Sequence, residues 1–150
     1  MQDPYRNIYK TARQAAGLTQ ERWAEVIGIS TESVRLYETG RGFPSDVVVA
    51  RMAEVAVMPV LGYWHLKEKS SVANDILPEV ERLTLPQAVI QLLVAIRDFK
   101  ESTDELLTIA ADGLVDDGEA AIFEEILGAL DTIVQAALSV KYAEGARHGD

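Results

Sequence analysis

The side chains best suited to chemistry in this sequence lie close together, between Gln20 and Arg41. Thr31, Glu32 and Ser33 are consecutive, and Leu36 follows one helical turn later. Hydroxyl groups pair with several bases, a carboxylate accepts from the amino group of cytosine, and an apolar side chain can touch the methyl group of thymine. At the start of a helix, these four residues predict a surface that reads base edges in the major groove.

Cations near this segment would hold the phosphate backbone beside those bases. Lys10, Arg35 and Arg41 are the predicted phosphate contacts, because positive charge dominates the affinity for nucleic acid. Plainer roles exist for some of the polar residues. Ser30 is typical of a helix cap, and Glu32 in a first helical turn is also favourable to the helix dipole without any base contact.

The rest of the sequence lacks the residue sets that catalysis or metal binding requires. It has no cysteine, and neither His65 nor His148 lies in a zinc motif. The acidic stretch 112–119 resembles a calcium loop only in part, because Thr108 and Ala110 occupy two of the ligand positions. A glycine-rich phosphate loop is also missing. We therefore expect no catalytic residue, no metal and no cofactor, and the protein is not predicted to be an enzyme.

The net charge of −10 belongs to one half of the chain. Residues 1–60 carry seven basic and seven acidic residues, whereas residues 61–150 carry seven basic and seventeen acidic residues. An acidic surface repels phosphate, so the nucleic-acid surface is expected in the first half. No apolar run reaches the roughly 18 residues that span a bilayer, and the first residues do not have the layout of a secretory signal. These features predict a cytoplasmic protein without a membrane partner.

Helical spacing of apolar residues predicts an all-α protein. The first half divides into five helices, which are bounded by Gly17, Gly28, Gly40 and the loop at Pro44 and are predicted at 5–16, 20–27, 31–38, 46–57 and 59–66. Residues 1–66 would form one domain. Residues 67–83 read as a connector with a possible short helix.

The second half, 84–150, predicts an acidic antiparallel helical hairpin. One long helix would begin at Pro86 and run to about Ala111, and a second would run from about Asp117 to Tyr142, with a frayed tail from Glu144. The inner row that joins the two helices would be Val89, Leu92, Ile96, Phe99, Leu106 and Ala110 on the first and Ile122, Ile126, Ala129, Ile133, Ala136 and Val140 on the second. Each helix has a second apolar row that a lone hairpin cannot cover. These rows are Ile90, Leu93 and Leu107 on one helix and Phe123, Leu127, Leu130, Val134 and Leu138 on the other. These rows must pack on the first half of the chain or on another chain, and of the two we expect a homodimer.

Two short helices that cross steeply need a small residue at the crossing and a left-handed turn, which Ala24 and Gly28 supply. This is helix-turn-helix geometry, and the segment resembles the Xre family of lambda-repressor and Cro-type domains over roughly residues 5–66. The matching residues are Arg13, Gly17-Leu18-Thr19-Gln20, Ala24, Gly28-Ile29-Ser30, Val34, Tyr37-Glu38, Gly40 and Pro44. Trp23 departs from the leucine usual in that family. The resemblance implies that Gln20 contacts a phosphate and that Arg13 pairs with Glu38.

Together, these observations predict a sequence-specific regulator of transcription. It would bind duplex DNA at a palindromic operator as a homodimer, most often as a repressor, and no small-molecule effector is indicated. The alternative is a protein-interaction module, antirepressor- or antitoxin-like, that has kept the helix-turn-helix fold but works through its acidic hairpin. The balanced charge of the first half favours this alternative, because strong DNA binders have a basic footprint.

Overall fold

A computed structural model describes residues 6–145, and these divide into two compact units. The first unit ends at Glu79 and the second begins at Val80. The described residues are helical, with one isolated backbone bridge between Thr84 and Glu144, so the prediction of an all-α fold is confirmed. None of the helices between residues 6 and 145 is long and apolar enough to cross a membrane.

Residues 6–79, the described part of the first unit, contain six helices. They are α1 (Ile8–Ala15), α2 (Gln20–Ile27), α3 (Thr31–Glu38), α4 (Asp46–Val55), α5 (Val60–Lys69) and α6 (Ser71–Ile76). Helix α1 packs against α3, α4 and α5, and α2 packs against α3 and α4. The centre of this unit is filled by the fully buried side chains of Tyr9, Trp23, Val34, Met52, Met58 and Leu61. Burial of several such large side chains, each worth about 1.5–3 kcal/mol, stabilises the unit.

The first unit extends further along the chain than the predicted domain 1–66. Helix α5 continues to Lys69, and α6 packs against it within the stretch predicted as a connector. The buried side chain of Lys67 explains why the first unit extends beyond residue 66. The groups that bind its ammonium come from residues 77 and 79. Nζ donates to Leu77 O at 2.6 Å and lies 3.2 Å from a carboxylate oxygen of Glu79. A buried ammonium without such partners would be costly, so residues 67–79 fold with the first unit.

Helix α4 ends in an unusual way at Val57. Val57 N–H donates to Glu54 O and Met58 N–H donates to Ala53 O, which is the paired hydrogen-bond pattern of a Schellman motif. The residue after the helix cap in this motif is normally glycine, because its φ is positive. Val57 adopts φ 49° with a β-branched side chain, a conformation that is strained for this residue type.

The second unit contains α7 (Leu85–Lys100), α8 (Thr103–Ala110) and α9 (Ala120–Lys141). The predicted long helix from Pro86 to about Ala111 is therefore wrong as a single helix, because it breaks at Glu101 and Ser102. Ser102 N–H donates to Phe99 O and the Thr103 hydroxyl donates to Lys100 O. These local bonds compete with the regular α-helical ladder and end α7.

Helices α7 and α9 form the main contact of the second unit, and they run antiparallel. Thr84, just before α7, bridges to Glu144, just after α9, and Glu144 N–H donates to Leu83 O at 2.9 Å. Glu144 also pairs with Arg82 at 2.7 Å. The predicted fraying therefore does not begin at Glu144, because the chain is tied back there. The remainder of the predicted tail, 146–150, lies outside the described residues.

The side of α7 that faces inward differs from the predicted one. Ala88 and Ala95 are the buried residues of α7, whereas Val89 and Ile96 of the predicted inner row are exposed. On α9, Ile126 and Ala136 of the predicted inner row are buried. Alanines seven residues apart lie on one side of a helix, and their small side chains let a neighbouring helix approach closely.

Candidate nucleic-acid interface

Helices α2 and α3 form a rigid pair around a tight turn. Gly28 ends α2 with φ 84° and its N–H donates to Ala24 O at 2.9 Å, so the turn uses the left-handed conformation that glycine adopts most easily. Ser30 then begins α3, because its hydroxyl accepts from Ser33 N–H at 3.0 Å. Trp23 and Val34 are buried and lock the pair onto the core. The start of α3 is therefore held firmly.

The four predicted base-reading residues lie on α3. Glu32 and Leu36 are exposed, and Thr31 and Ser33 are partly exposed. The Ser33 hydroxyl lies 2.9 Å from the Ser30 hydroxyl, so its direction is set by the cap. The Glu32 side chain is 82% exposed, and its Oε2 lies 3.7 Å from Nη1 of Arg35, which is a long distance for an ion pair. This first turn therefore presents a carboxylate and two hydroxyls on a fixed backbone.

Leu36 is positioned by the loop that follows α3. Gly42 lies directly beneath it, since a Cβ atom added at Gly42 would be 2.9 Å from Leu36 Cδ2. Arg41 N–H also donates to Leu36 O, which folds the loop back along the helix end. The absence of a side chain at Gly42 therefore sets where the exposed leucine lies.

Glu38 is the polar centre that connects α1, α2 and α3. Arg13 donates to both of its carboxylate oxygens, through Nε to Oε1 and through Nη2 to Oε2, the second at 3.0 Å. Gln20 Nε2 donates to Oε2 at 2.9 Å. Burial by itself would raise the pKa of Glu38, but the hydrogen bonds from Arg13 and Gln20 and the charge of Lys10 outweigh it, so this pKa lies below its usual value.

This arrangement brings two of the predicted phosphate contacts to the same carboxylate. Gln20 lies at the first position of α2 with its amide fixed by Glu38, and that amide nitrogen has a second N–H. Lys10 acts on Glu38 through its charge alone. Lys10 is exposed, and among residues 6–145 it forms no ion pair.

The other two predicted phosphate contacts differ from each other. Arg35 lies between two carboxylates, 3.9 Å from Glu21 and 3.7 Å from Glu32. Exposed pairs at such distances contribute little stability, but they offset part of the positive charge. Arg41 is exposed and makes no ion pair with any described residue. Lys10 and Arg41 are therefore the stronger candidates of the set.

The sequence interpretation missed one polar residue that holds the site, Asn7. Asn7 caps α1 by accepting from Lys10 N–H at 2.9 Å, and its amide donates to Tyr37 O at 2.8 Å, which ties α1 to the end of α3. An asparagine before a helical pattern is a recognisable capping signal. The long-range bond to Tyr37 has no signal in the sequence, because residues 7 and 37 meet only in the folded unit.

His65, which lies in no zinc motif, is buried in a hydrogen-bonded row. The Tyr9 hydroxyl lies 2.8 Å from its Nδ1, and Asp46 Oδ1 lies 3.2 Å from its Nε2. Burial raises the pKa of Tyr9, and Glu68 adds to this, so the phenol keeps its proton. The row links α1, α4 and α5. The described residues also contain no cluster of three metal-ligating side chains.

Comparison with known proteins agrees with this geometry. Residues 10–59 match a family model described as a helix-turn-helix domain. Searches of curated proteins and of solved structures found no match. The matched range includes α2, the turn and α3 together with Lys10 and Arg41. Helix-turn-helix domains are typically DNA-binding modules without enzymatic activity. The match therefore supports a helix-turn-helix DNA-binding regulator, with a helical second unit that the family model does not cover.

Proposed function

We propose that this protein is a sequence-specific, double-stranded-DNA-binding repressor of the Xre type that acts as a homodimer. The observation that carries the proposal is the exposed first turn of α3, fixed by the Gly28 turn and the Ser30 cap within a helix-turn-helix match. In this arrangement, Thr31, Glu32 and Ser33 read base edges and Leu36 contacts a thymine methyl group.

Phosphate contacts would fix the register of this reading helix on the duplex. Lys10 and Arg41 supply uncommitted charge, Gln20 supplies an amide N–H, and Arg35 contributes once DNA displaces its loose carboxylate partners. Arg13 has a different role, because both of its bonds to Glu38 are internal. It positions α1 and α3 and does not contact DNA.

Dimerisation follows from the size of the reading surface. One α3 reads one half-site, and a two-fold dimer reads two half-sites about one helical turn apart, roughly 34–36 Å. The operator is then an inverted repeat. The balanced charge of residues 6–79, with nine basic and nine acidic residues, makes a second half-site more important, since a single copy gains little from general electrostatic attraction.

The test is selection of binding sites from a pool of random-sequence duplexes, with the full chain as bait. The proposal expects enrichment of one inverted repeat. Fluorescence anisotropy should then show that the selected duplex binds about 10³-fold or more tightly than a scrambled duplex of equal length. Failure to enrich any sequence, together with equal weak binding to both duplexes, would contradict sequence-specific recognition.

A second candidate function rests on the charge of the second unit. Residues 80–145 carry thirteen acidic and four basic residues, which would suit the capture of a basic partner protein. In that case the chain is an interaction module of the antirepressor or antitoxin kind, and its helix-turn-helix unit serves as a scaffold. The binding-site selection separates the two, because only the first requires an enriched duplex.

A further inference from the structure

The inference concerns the outer surface of α7 and α9. In α7, residues 85–96 contain no charged residue, and the corresponding end of α9, residues 132–140, contains none either. The two helices run antiparallel, so these segments lie side by side at the end of the unit marked by the Thr84–Glu144 bridge. We call residues 85–96 and 132–140 the neutral face.

Large apolar side chains of the neutral face are exposed. They are Val89, Ile90, Leu93, Val94 and Ile96 on α7 and Val134 on α9. Together with the buried Ala88 and Ala95, they make the first three turns of α7 apolar almost all round. A helix that is apolar all round is normally buried in the assembled protein. Single apolar residues scattered over a surface are common, but a continuous patch of this kind marks an interaction site.

A shallow cleft runs along the neutral face and gives it relief. Its volume is about 330 Å³, and its lining includes Ile90, Val94 and Ala95 together with the carboxylate of Asp98 on α7, and Gln135 and Ala136 on α9. Small side chains form its floor, and larger apolar side chains stand beside it. A surface that has both a groove and a ridge on the same patch can pack against a copy of itself across a two-fold axis.

Charge decides which partner fits this face. The second unit is strongly acidic, yet its acidic side chains among the described residues lie outside both neutral segments. Asp98 and Asp131 border the segments, Asp98 at the edge of the cleft, and the other carboxylates lie further away along the chain. Two identical acidic units repel each other least when they meet through the surface that carries the fewest charges. A basic partner would instead bind where the carboxylates are. The separation of acidic from neutral surface therefore favours a second copy of this chain.

We infer that two copies associate through their neutral faces, so that α7 and α9 of each copy form a four-helix bundle. Its biological purpose rests on the proposed function, because two reading helices need a two-fold dimer. Its physical basis, the uncharged apolar face on an acidic unit, does not depend on DNA binding.

The test is the mass of the full chain by analytical ultracentrifugation. At about 100 µM, well above a micromolar Kd, we expect twice the monomer mass of 16.5 kDa. Leu93→Glu and Val134→Glu each place a charge on the neutral face and should weaken self-association at least about tenfold. Leu107→Glu is the matched control, because Leu107 is 70% exposed on α8, outside the face, compared with 61% for Leu93. Far-UV circular dichroism checks that each variant stays helical. If only one of the two face variants folds, its self-association alone is sufficient for the test.

A wild-type mass of 16.5 kDa at that concentration would overturn the inference. So would a dimer that tolerates both face substitutions, or one that Leu107→Glu disrupts equally. The same samples separate this inference from the proposed function. If the chain is a monomer that still binds one half-site, the proposed DNA recognition stands and the neutral-face dimer is wrong. A dimer that binds every duplex equally keeps the interface and loses sequence-specific recognition.

Discussion

Gln20 and Glu38 are joined by a hydrogen bond of 2.9 Å between the start of α2 and the end of α3. The same carboxylate is held by Arg13 from α1, so one acidic side chain connects three helices. The helix-turn-helix pair is therefore fixed by a polar network as well as by its apolar core. This network also orients Gln20, which the proposed function places against a phosphate.

Replacing the carboxylate should cost stability in a pH-dependent way. Glu38→Gln leaves the largely buried Arg13 without its charged partner and should lower the free energy of unfolding by about 1–3 kcal/mol at pH 7. Because the folded pKa of Glu38 is depressed, its contribution is present above the unfolded pKa of about 4.3 and is lost as pH falls through the folded pKa.

Urea denaturation at several pH values measures this effect. The difference between wild type and Glu38→Gln should be constant near neutrality and shrink in acid. Glu25→Gln is the matched control, since Glu25 pairs with Arg22 on the open surface and should change stability by less than about 0.5 kcal/mol. Equal effects of the two substitutions at pH 7 would contradict the role given to Glu38.

The strained turn at Val57 makes an opposite prediction. Val57→Gly should raise the free energy of unfolding by about 0.5–1 kcal/mol, because glycine removes the penalty of the left-handed conformation. Val57 is 75% exposed, so little packing is lost. Val47→Gly is the control: Val47 is similarly exposed but helical, and the change there should destabilise by up to about 1 kcal/mol. A lower melting temperature for Val57→Gly would show that Val57 is not strained.

Base reading by Glu32 predicts a change of specificity. Glu32→Ala should relax the preference at one position of each half-site, with a loss of about 1–3 kcal/mol against the selected base. The measurement is anisotropy with duplexes that vary one base pair at a time. If Glu32 interacts only with the helix dipole, Glu32→Ala lowers helix stability slightly and leaves every base preference unchanged. That result would show that Glu32 does not read a base.

The contact between Gly42 and Leu36 gives a prediction that separates recognition from folding. Gly42→Ala brings a methyl group within 2.9 Å of Leu36 Cδ2, so the leucine side chain must move. The end of a flexible side chain moves cheaply, and we expect a loss of stability below about 1 kcal/mol. Discrimination between thymine and uracil at the contacted position, which differ by one methyl group, should fall. Unchanged discrimination would show that Leu36 does not contact that methyl group.

The sequence predicted the helix-turn-helix pair closely because its signals are local. Thr19 and Ser30 cap α2 and α3, and Gly28 takes the left-handed turn, so the bounds of both helices follow from neighbouring residues. The break between α7 and α8 escaped prediction, because apolar spacing continues across Ser102 and Thr103 while their local hydrogen bonds end the helix. The burial of Ala88 and Ala95 also has no local signal in the sequence. It depends on the close approach of α9, which small side chains permit and large ones do not.

The polar contacts of the first unit were likewise predicted only in part from the sequence. The pairing of Arg13 with Glu38 was expected from family resemblance, but the third partner, Gln20, was expected only at a phosphate. Lys67 was placed in a connector, because nothing in the sequence shows that Leu77 and Glu79 return to meet it. Contacts over a long sequence separation depend on the packed structure and are therefore the least predictable from sequence.

The central claim, that the first unit binds DNA through the surface of α3, is tested most directly by the salt dependence of binding. Anisotropy titrations of the selected duplex would compare wild type with Lys10→Ala, Arg41→Ala and the control Arg51→Ala, whose arginine is exposed but paired with Glu54 on α4. Each lost phosphate contact should reduce the slope of log Kd against log salt by about 0.9 and weaken all duplexes alike. The account predicts this reduction for Lys10→Ala and Arg41→Ala and none for Arg51→Ala. An unchanged slope for both, or an equal change for all three, would contradict it.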